Sequence, residues 1–119
     1  MADANLSQHT LSESPKTVVM SIDGEAHFEN VRAIESYFDN LVQSAQPQHV
    51  LIDLSDLTFA GSAFFSSLLF WREEMIKRGG SLVLFGVRPE IFSTMRILTL
   101  DRVLTVLPDQ EAALAASSS

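Results

Sequence analysis

The residues best placed to do chemistry lie in a turn between an apolar strand and an apolar-faced helix. Gly61 and Ser62 occupy this turn, and Ser62 is predicted to begin the helix. A serine at that position is a natural N-cap, a structural role that stabilises a helix by about 1 kcal/mol. A phosphate on the same hydroxyl would meet unpaired backbone N–H groups and the positive end of the helix dipole. The turn therefore predicts a helix cap, a phosphorylation switch, or both.

Two aspartates flank the end of the strand that precedes this turn. Asp53 and Asp56 occupy the region where open α/β sheets often bind ligands, so a metal ion or an acid–base pair is one interpretation. No third ligand or histidine partner accompanies them in sequence, which favours a role in forming the turn. His9, His27 and His49 are scattered and share no spacing that places two ligands on one helix face.

The motifs of several enzyme classes are missing from the chain. A hydrolase elbow needs Gly-x-Ser-x-Gly, whereas this turn reads Gly-Ser-Ala-Phe at residues 61–64. Neither a P-loop nor a Gly-x-Gly-x-x-Gly fingerprint is present, and there is no cysteine for thiol chemistry or disulfides. We therefore predict a protein that is not an enzyme and has no cofactor and no metal.

Charge and hydropathy limit the partners further. A formal charge of −7 and a pI near 4.7 disfavour binding to nucleic acid phosphates. No apolar run approaches the roughly 20 residues that cross a bilayer, and the first five residues have no basic or apolar signal character. These features predict a cytoplasmic protein that does not insert into a membrane.

Strands and helices alternate along the chain. Hydrophobic periodicity and turn residues predict strands at 17–22, 49–54, 81–87 and 103–107, and helices at 30–46, 62–78, 89–98 and after residue 109. This order predicts one α/β domain at residues 16–116, with a mixed, largely parallel sheet of four to five strands and about four helices. Residues 1–15 and 117–119 are predicted to be flexible tails.

The helix that follows the turn has one residue on an unexpected side. Its apolar residues form a broad arc facing the core; they are Phe64, Phe65, Leu68, Leu69, Trp71, Met75 and Ile76. Phe70 lies opposite this arc, so the helix is either covered on both sides or exposes Phe70. Aromatic residues are enriched at interface hot spots, and Phe70 is therefore a predicted partner contact.

Three segments resemble the STAS domain, a fold shared by bacterial anti-sigma factor antagonists and the cytoplasmic tails of sulphate transporters. They read VLIDLSDLTF at 50–59, RGGSLVLFGV at 78–87 and LTLDRV at 98–103, within a similarity that spans about 17–114. In the antagonists the turn contains Asp-Ser, and a dedicated kinase phosphorylates that serine. Ser62 matches this serine, whereas Gly61 replaces the aspartate and Phe64 replaces a glycine.

The resemblance implies an anti-sigma factor antagonist that switches partners according to phosphorylation of Ser62. The partner would be an anti-sigma factor or a serine protein kinase of the GHKL ATPase type, together with a cognate phosphatase, and a homodimer is compatible with this reading. Contacts are predicted at Gly61, Ser62, Ala63, Phe64 and Phe70. The alternative is an unphosphorylated accessory subunit or regulatory domain of a membrane transporter, with Phe64 and Phe70 as a fixed apolar docking site.

Overall fold

The sheet and its helices account for most of the chain. The computed structural model describes residues 3–11 and 14–117, and these contain six strands and four α-helices. The strands are β1 (Ala4–Leu11), β2 (Ser14–Ala26), β3 (His49–Asp53), β4 (Leu57–Ala60), β5 (Ser81–Phe85) and β6 (Thr105–Leu107). The helices are α1 (Val31–Ala45), α2 (Ser62–Lys77), α3 (Pro89–Ile97) and α4 (Gln110–Ser117), with a 3-10 turn at Leu100–Arg102. The predicted α/β class is confirmed, with six strands where four to five were expected.

The sheet is mixed and largely parallel, in the order β1-β2-β3-β5-β6. Among the strands formed by the described residues, only β1 runs antiparallel, against β2. Strand β2 is long enough to pair with β3 along Thr17–Ser21 and then with β4 along its last residues, where Ala26 is opposite Ala60. This second pairing brings the chain that enters α2 against the end of β2.

The two faces of the sheet form two apolar layers, as the period-2 alternation of buried strands requires. On β2, Met20 faces a core shared with α1, α2 and α3, whereas Val19 faces a smaller cluster closed by Ala113 of α4. In the larger core Trp71 stacks on Phe38 with ring centroids 4.4 Å apart. Both layers are fully buried at the central strands, so the sheet is a rigid base for the turn that precedes α2.

The prediction of a flexible tail at residues 1–15 is wrong for the residues that form β1. This strand pairs with β2 residue by residue, from Ala4 opposite Gly24 to Thr10 opposite Val18. Ala4 and Leu6 pack against the larger core, while most of the other side chains are exposed. A solvent-facing edge strand needs backbone partners more than apolar side chains, so its polar sequence resembles that of a loop.

The C-terminal boundary and β4 also differ from the prediction. Ser117 was assigned to a tail, but it is buried at the end of α4 and donates a hydrogen bond to the carbonyl of Leu114 at 2.9 Å; residues 118–119 of the predicted tail lie outside the described residues. Strand β4 was not predicted because it has only four residues, of which Thr58 and Phe59 are exposed.

Candidate functional site

The turn between β4 and α2 is held to the sheet by a backbone hydrogen bond. The Gly61 N–H donates to the carbonyl of Ala26 at 2.9 Å, and the Gly61 carbonyl accepts from the N–H of Phe64 at 3.1 Å. We call residues 61–63 the Ser62 turn. Because its backbone is tied to the last residue of β2 and to the first turn of α2, the serine occupies a fixed position on the surface.

Ser62 is exposed, and the prediction that it caps the helix is wrong. Gly61 is the N-cap, with φ −89° and ψ 172°, and Ser62 is the first helical residue. In the described part of the chain no side chain caps α2, and the Ser62 hydroxyl has no hydrogen-bond partner. The extended geometry of an N-cap falls on the glycine because Gly61 continues the pairing of β4. The hydroxyl is therefore free for another role.

Phe64 does not lie on the surface of the turn, which corrects its prediction as a partner contact. Its side chain is 0 % exposed and meets Trp71 edge-on, with ring centroids 6.1 Å apart. The bulk that replaces the family's glycine therefore points into the core. Phe64 is therefore not available for the apolar docking site that was predicted from Phe64 and Phe70. Its burial also means that it does not obstruct the approach of a partner to Ser62.

Exposed aromatic side chains lie beside the turn and further along α2 instead. Phe70 is 60 % exposed, which resolves the alternative left open by the helix pattern. Phe59, not predicted as a site residue, is 50 % exposed, and its Cε2 is 3.7 Å from where a Cβ on Gly61 would lie. Phe28, also missed, is 78 % exposed, and it follows His27, whose Cα is 3.8 Å from the same point. Sequence periodicity gave no signal for Phe28 or Phe59, because neither is in a long helix or strand.

The aspartates at the end of β3 form a turn. One Asp53 carboxylate oxygen accepts hydrogen bonds from both the backbone N–H, at 3.0 Å, and the hydroxyl of Ser55. Asp56 lies 3.9 Å from the guanidinium of Arg88, which also donates to the Ser55 carbonyl at 3.1 Å. Partial burial raises the pKa of Asp23, and repulsion from Asp56 and Asp53 raises it further. The contacts of Asp53 with Ser55 match an Asx-type turn, and Arg88 closes this turn through Asp56 and the Ser55 carbonyl.

The raised pKa of Asp23 gives a pH-dependent prediction. The folded protein holds this proton more tightly than the unfolded chain, so the contribution to stability is fully present below the unfolded pKa of 3.8 and is lost as pH rises through the folded pKa. We expect Asp23→Asn to raise Tm at pH 7 by about 1–2 °C, a surface-substitution effect, with the gain shrinking toward pH 3. Thermal unfolding across this pH range measures it. Asp101→Asn, in the 3-10 turn, is the matched control; an equal gain there, or a gain independent of pH, would contradict the assignment.

The three histidines lie on separate parts of the fold. His9 lies on β1, His27 in the loop before α1, and His49 on β3, where its Nδ1 is hydrogen-bonded to the Ser81 hydroxyl at 2.7 Å. Within the described ranges, no group of three or more His, Asp or Glu side chains is arranged to hold a metal ion. None of the helices found in those ranges has the length and apolar character needed to span a membrane.

Comparison with known proteins gives a consistent picture. A family model described as the STAS domain matches residues 8–113, and a search of curated protein sequences finds no significant match. An anti-sigma factor antagonist from Mycobacterium paratuberculosis superimposes with a TM-score of 0.81 at 22 % identity, over 100 % of this chain and 96 % of that one. An anti-sigma-factor antagonist (STAS) domain protein from Planctomyces limnophilus gives 0.79 at 25 % identity, over 96 % and 98 %. The phosphorylated form of the Bacillus cell fate determinant SpoIIAA gives 0.67 at 17 % identity, over 96 % and 98 %.

Proposed function

Because the chain belongs to the STAS domain family, which matches it over residues 8–113, we propose that it is a non-enzymatic module that switches protein partners in the manner of an anti-sigma factor antagonist. It binds an anti-sigma factor or a serine protein kinase of the GHKL ATPase type through Gly61, Ser62, Ala63 and the exposed ring of Phe70. Phosphorylation of Ser62 releases the partner, and a cognate phosphatase restores binding.

The observation that supports this proposal most strongly is the exposed, unpartnered hydroxyl of Ser62 at the start of a 16-residue helix. The first N–H groups of an α-helix have no acceptor within the helix, and the dipole favours negative charge there. The first turn of α2 contains no acidic residue, and the N-cap before it is Gly61. A phosphate on Ser62 would therefore be stabilised locally, and the fold would not have to open to accept it.

The surroundings of Ser62 explain how the phosphate changes binding. The neighbouring surface is small and apolar, with half-buried Ala63 and the exposed ring of Phe59. A phosphate adds a charge of about −1.5 to −2 at pH 7 to the centre of this surface. A partner that buries the neutral surface would have to desolvate that charge or oppose it with a carboxylate, and either costs several kcal/mol.

The transporter interpretation is not proposed. It depended on Phe64 and Phe70 as a fixed apolar dock, and Phe64 is completely buried.

The test begins with native partners recovered from the cells that produce the protein. Mass spectrometry of proteins that co-purify with the tagged chain identifies the partner, and fragmentation of the Ser62 peptide locates any phosphate. With the recovered partner, we expect Ser62→Ala to bind as the unmodified chain does and Ser62→Asp to bind about tenfold or more weakly, measured by calorimetry.

Ser66 offers the matched control. It is exposed one helical turn further along α2, and its hydroxyl donates to the Ser62 carbonyl at 3.2 Å. Ser66→Asp introduces the same charge on the same face, so its effect on partner affinity should be clearly smaller than that of Ser62→Asp. Equal affinities of Ser62→Ala and Ser62→Asp, or a phosphate found on Ser66 alone, would refute the switch.

A further inference from the structure

A cleft separate from the Ser62 turn lies between α1 and α2. Its volume is about 270 Å³, and it is lined by Glu35, Asp39, Phe70 and Trp71. Trp71 is 1 % exposed and forms the apolar floor, while the Phe70 ring forms one wall. An adjoining cleft of about 300 Å³ shares Asp39 and Phe70 and continues along α1 toward Arg78. The first cleft therefore combines two aromatic side chains with two carboxylates and has no basic residue in its lining.

Glu35 is held at the rim by a buried group. Ser67 is 2 % exposed and its hydroxyl donates to one oxygen of the Glu35 carboxylate at 2.6 Å. This contact joins α2 to α1 and restricts the glutamate side chain. The carboxylate is thus fixed at the mouth of the cleft before any partner arrives, which lowers the entropy that binding would cost.

Among the described residues, neither carboxylate forms an ion pair with a cation of the fold. Glu35 and Asp39 are four residues apart on α1, a spacing at which like charges destabilise a helix. The ion pairs formed by the described residues join Arg72 to Glu73, Lys77 to Glu74 and Arg88 to Asp56, and so involve neither carboxylate. A positive charge supplied from outside would relieve this repulsion.

We infer that the cleft binds an arginine or lysine side chain of a protein partner. The aliphatic stem would lie against Phe70 and Trp71, and the cationic head would lie between Glu35 and Asp39. The ring of Phe70 can add a cation–π contact, because its face is negative and it is largely exposed. A neutral apolar side chain would leave both carboxylates uncompensated, and an anionic one would be repelled.

This inference deepens the proposed function and rests on it in one respect, namely that the occupant belongs to a protein partner. It gives that partner a chemical requirement, which is a basic residue placed so that it reaches the α1–α2 cleft while the Ser62 turn is covered. Phe70 belongs to α2, as Ser62 does, so a single partner surface along this helix can contact both places.

The experiment uses the full chain and two small probes that need neither the partner nor a phosphate. N-acetyl-arginine amide and its uncharged isostere N-acetyl-citrulline amide are titrated separately and followed by two-dimensional NMR. The chain has one tryptophan, so the indole N–H signal of Trp71 reports directly on the cleft floor. We expect the arginine probe to shift this signal and the amides of Glu35, Asp39 and Phe70 with a millimolar Kd, and the citrulline probe to bind about fivefold or more weakly.

Charge-neutralising variants complete the test. Glu35→Gln with Asp39→Asn keeps the shape and an acceptor for Ser67, and it should weaken the arginine probe about fivefold. Glu90→Gln with Asp101→Asn changes the net charge equally at exposed positions of the α3 region and should leave the Kd unchanged. Equal binding of both probes, equal loss in both double variants, or shifts confined to other residues would overturn the inference. None of these results would contradict the proposed switch at Ser62. Conversely, equal partner affinities of Ser62→Ala and Ser62→Asp would refute the switch without changing the expected probe titration.

Discussion

Trp71→Ala is expected to destabilise the protein by about 4 kcal/mol and to lower Tm by about 12–20 °C. Trp71 is 1 % exposed, stacks on Phe38 with an interplanar angle of 6°, and meets Phe64 edge-on. Truncation removes the apolar contact of α2 with α1 and leaves a cavity that the rigid sheet cannot close. Because a domain of this size is stable by roughly 5–15 kcal/mol, the variant should lie near the limit of folding. Urea unfolding followed by circular dichroism measures the loss.

The neighbouring aromatic residue provides the control. Phe70 belongs to the same helix but is 60 % exposed, so Phe70→Ala should change the free energy of unfolding by less than about 0.5 kcal/mol while weakening binding at the α1–α2 cleft. A loss of stability at Phe70 comparable to that at Trp71 would mean that α2 is covered on both sides, contrary to the fold described above.

The regular elements could be predicted because their apolar spacing reflects burial directly. On α1 the apolar residues recur at three- and four-residue spacing, and Val31, Ile34 and Phe38 are all buried while Tyr37 is half-buried. The pattern is less informative where a helix end leaves the core. Ile76 was placed on the apolar arc of α2, yet it is 47 % exposed close to the end of that helix at Lys77.

Edge and short strands were not predictable on the same grounds. Strand β1 is specified by the free backbone edge of β2, and backbone pairing leaves little trace in side chains that face solvent. Strand β4 depends on β2 extending to Ala26, a distance that no local pattern in residues 57–60 encodes. Both elements form through contacts distant in sequence, which periodicity does not report.

At the site, local pattern and family resemblance made different predictions for the same residue. The helical spacing placed Phe64 in the core, which is confirmed, whereas alignment with the phosphoserine turn made it a surface contact, which is wrong. The helix start was predicted correctly at Ser62, but the cap falls one residue earlier because Gly61 is held by its hydrogen bond to Ala26. A shift of one residue changes the interpretation of the serine from a cap to an available hydroxyl.

Gly80→Ala is expected to destabilise the fold by about 3–4 kcal/mol, through overpacking and the loss of a backbone hydrogen bond. A Cβ at Gly80 would lie 1.7 Å from the backbone carbonyl oxygen of Gln48. That oxygen accepts the Ser81 N–H at 3.1 Å, the contact that leads into the pairing of β3 with β5. Because the obstacle is backbone, relief requires moving the start of a central strand.

Gly79→Ala separates this effect from helix termination. Gly79 and Gly80 close α2 in a Schellman arrangement, with the Gly79 N–H donating to Ile76 at 2.9 Å and the Gly80 N–H to Met75 at 2.8 Å. Gly79 has φ +77° but no atom within 4 Å of its added Cβ, so alanine should cost only about 1 kcal/mol of left-handed strain. Urea unfolding should therefore show Gly80→Ala as clearly the more damaging. Equal losses of stability in the two variants would show that both glycines serve only to end the helix. In that case the close approach of Gly80 to Gln48 would not control the position of α2 on the sheet, which also supports the Ser62 turn.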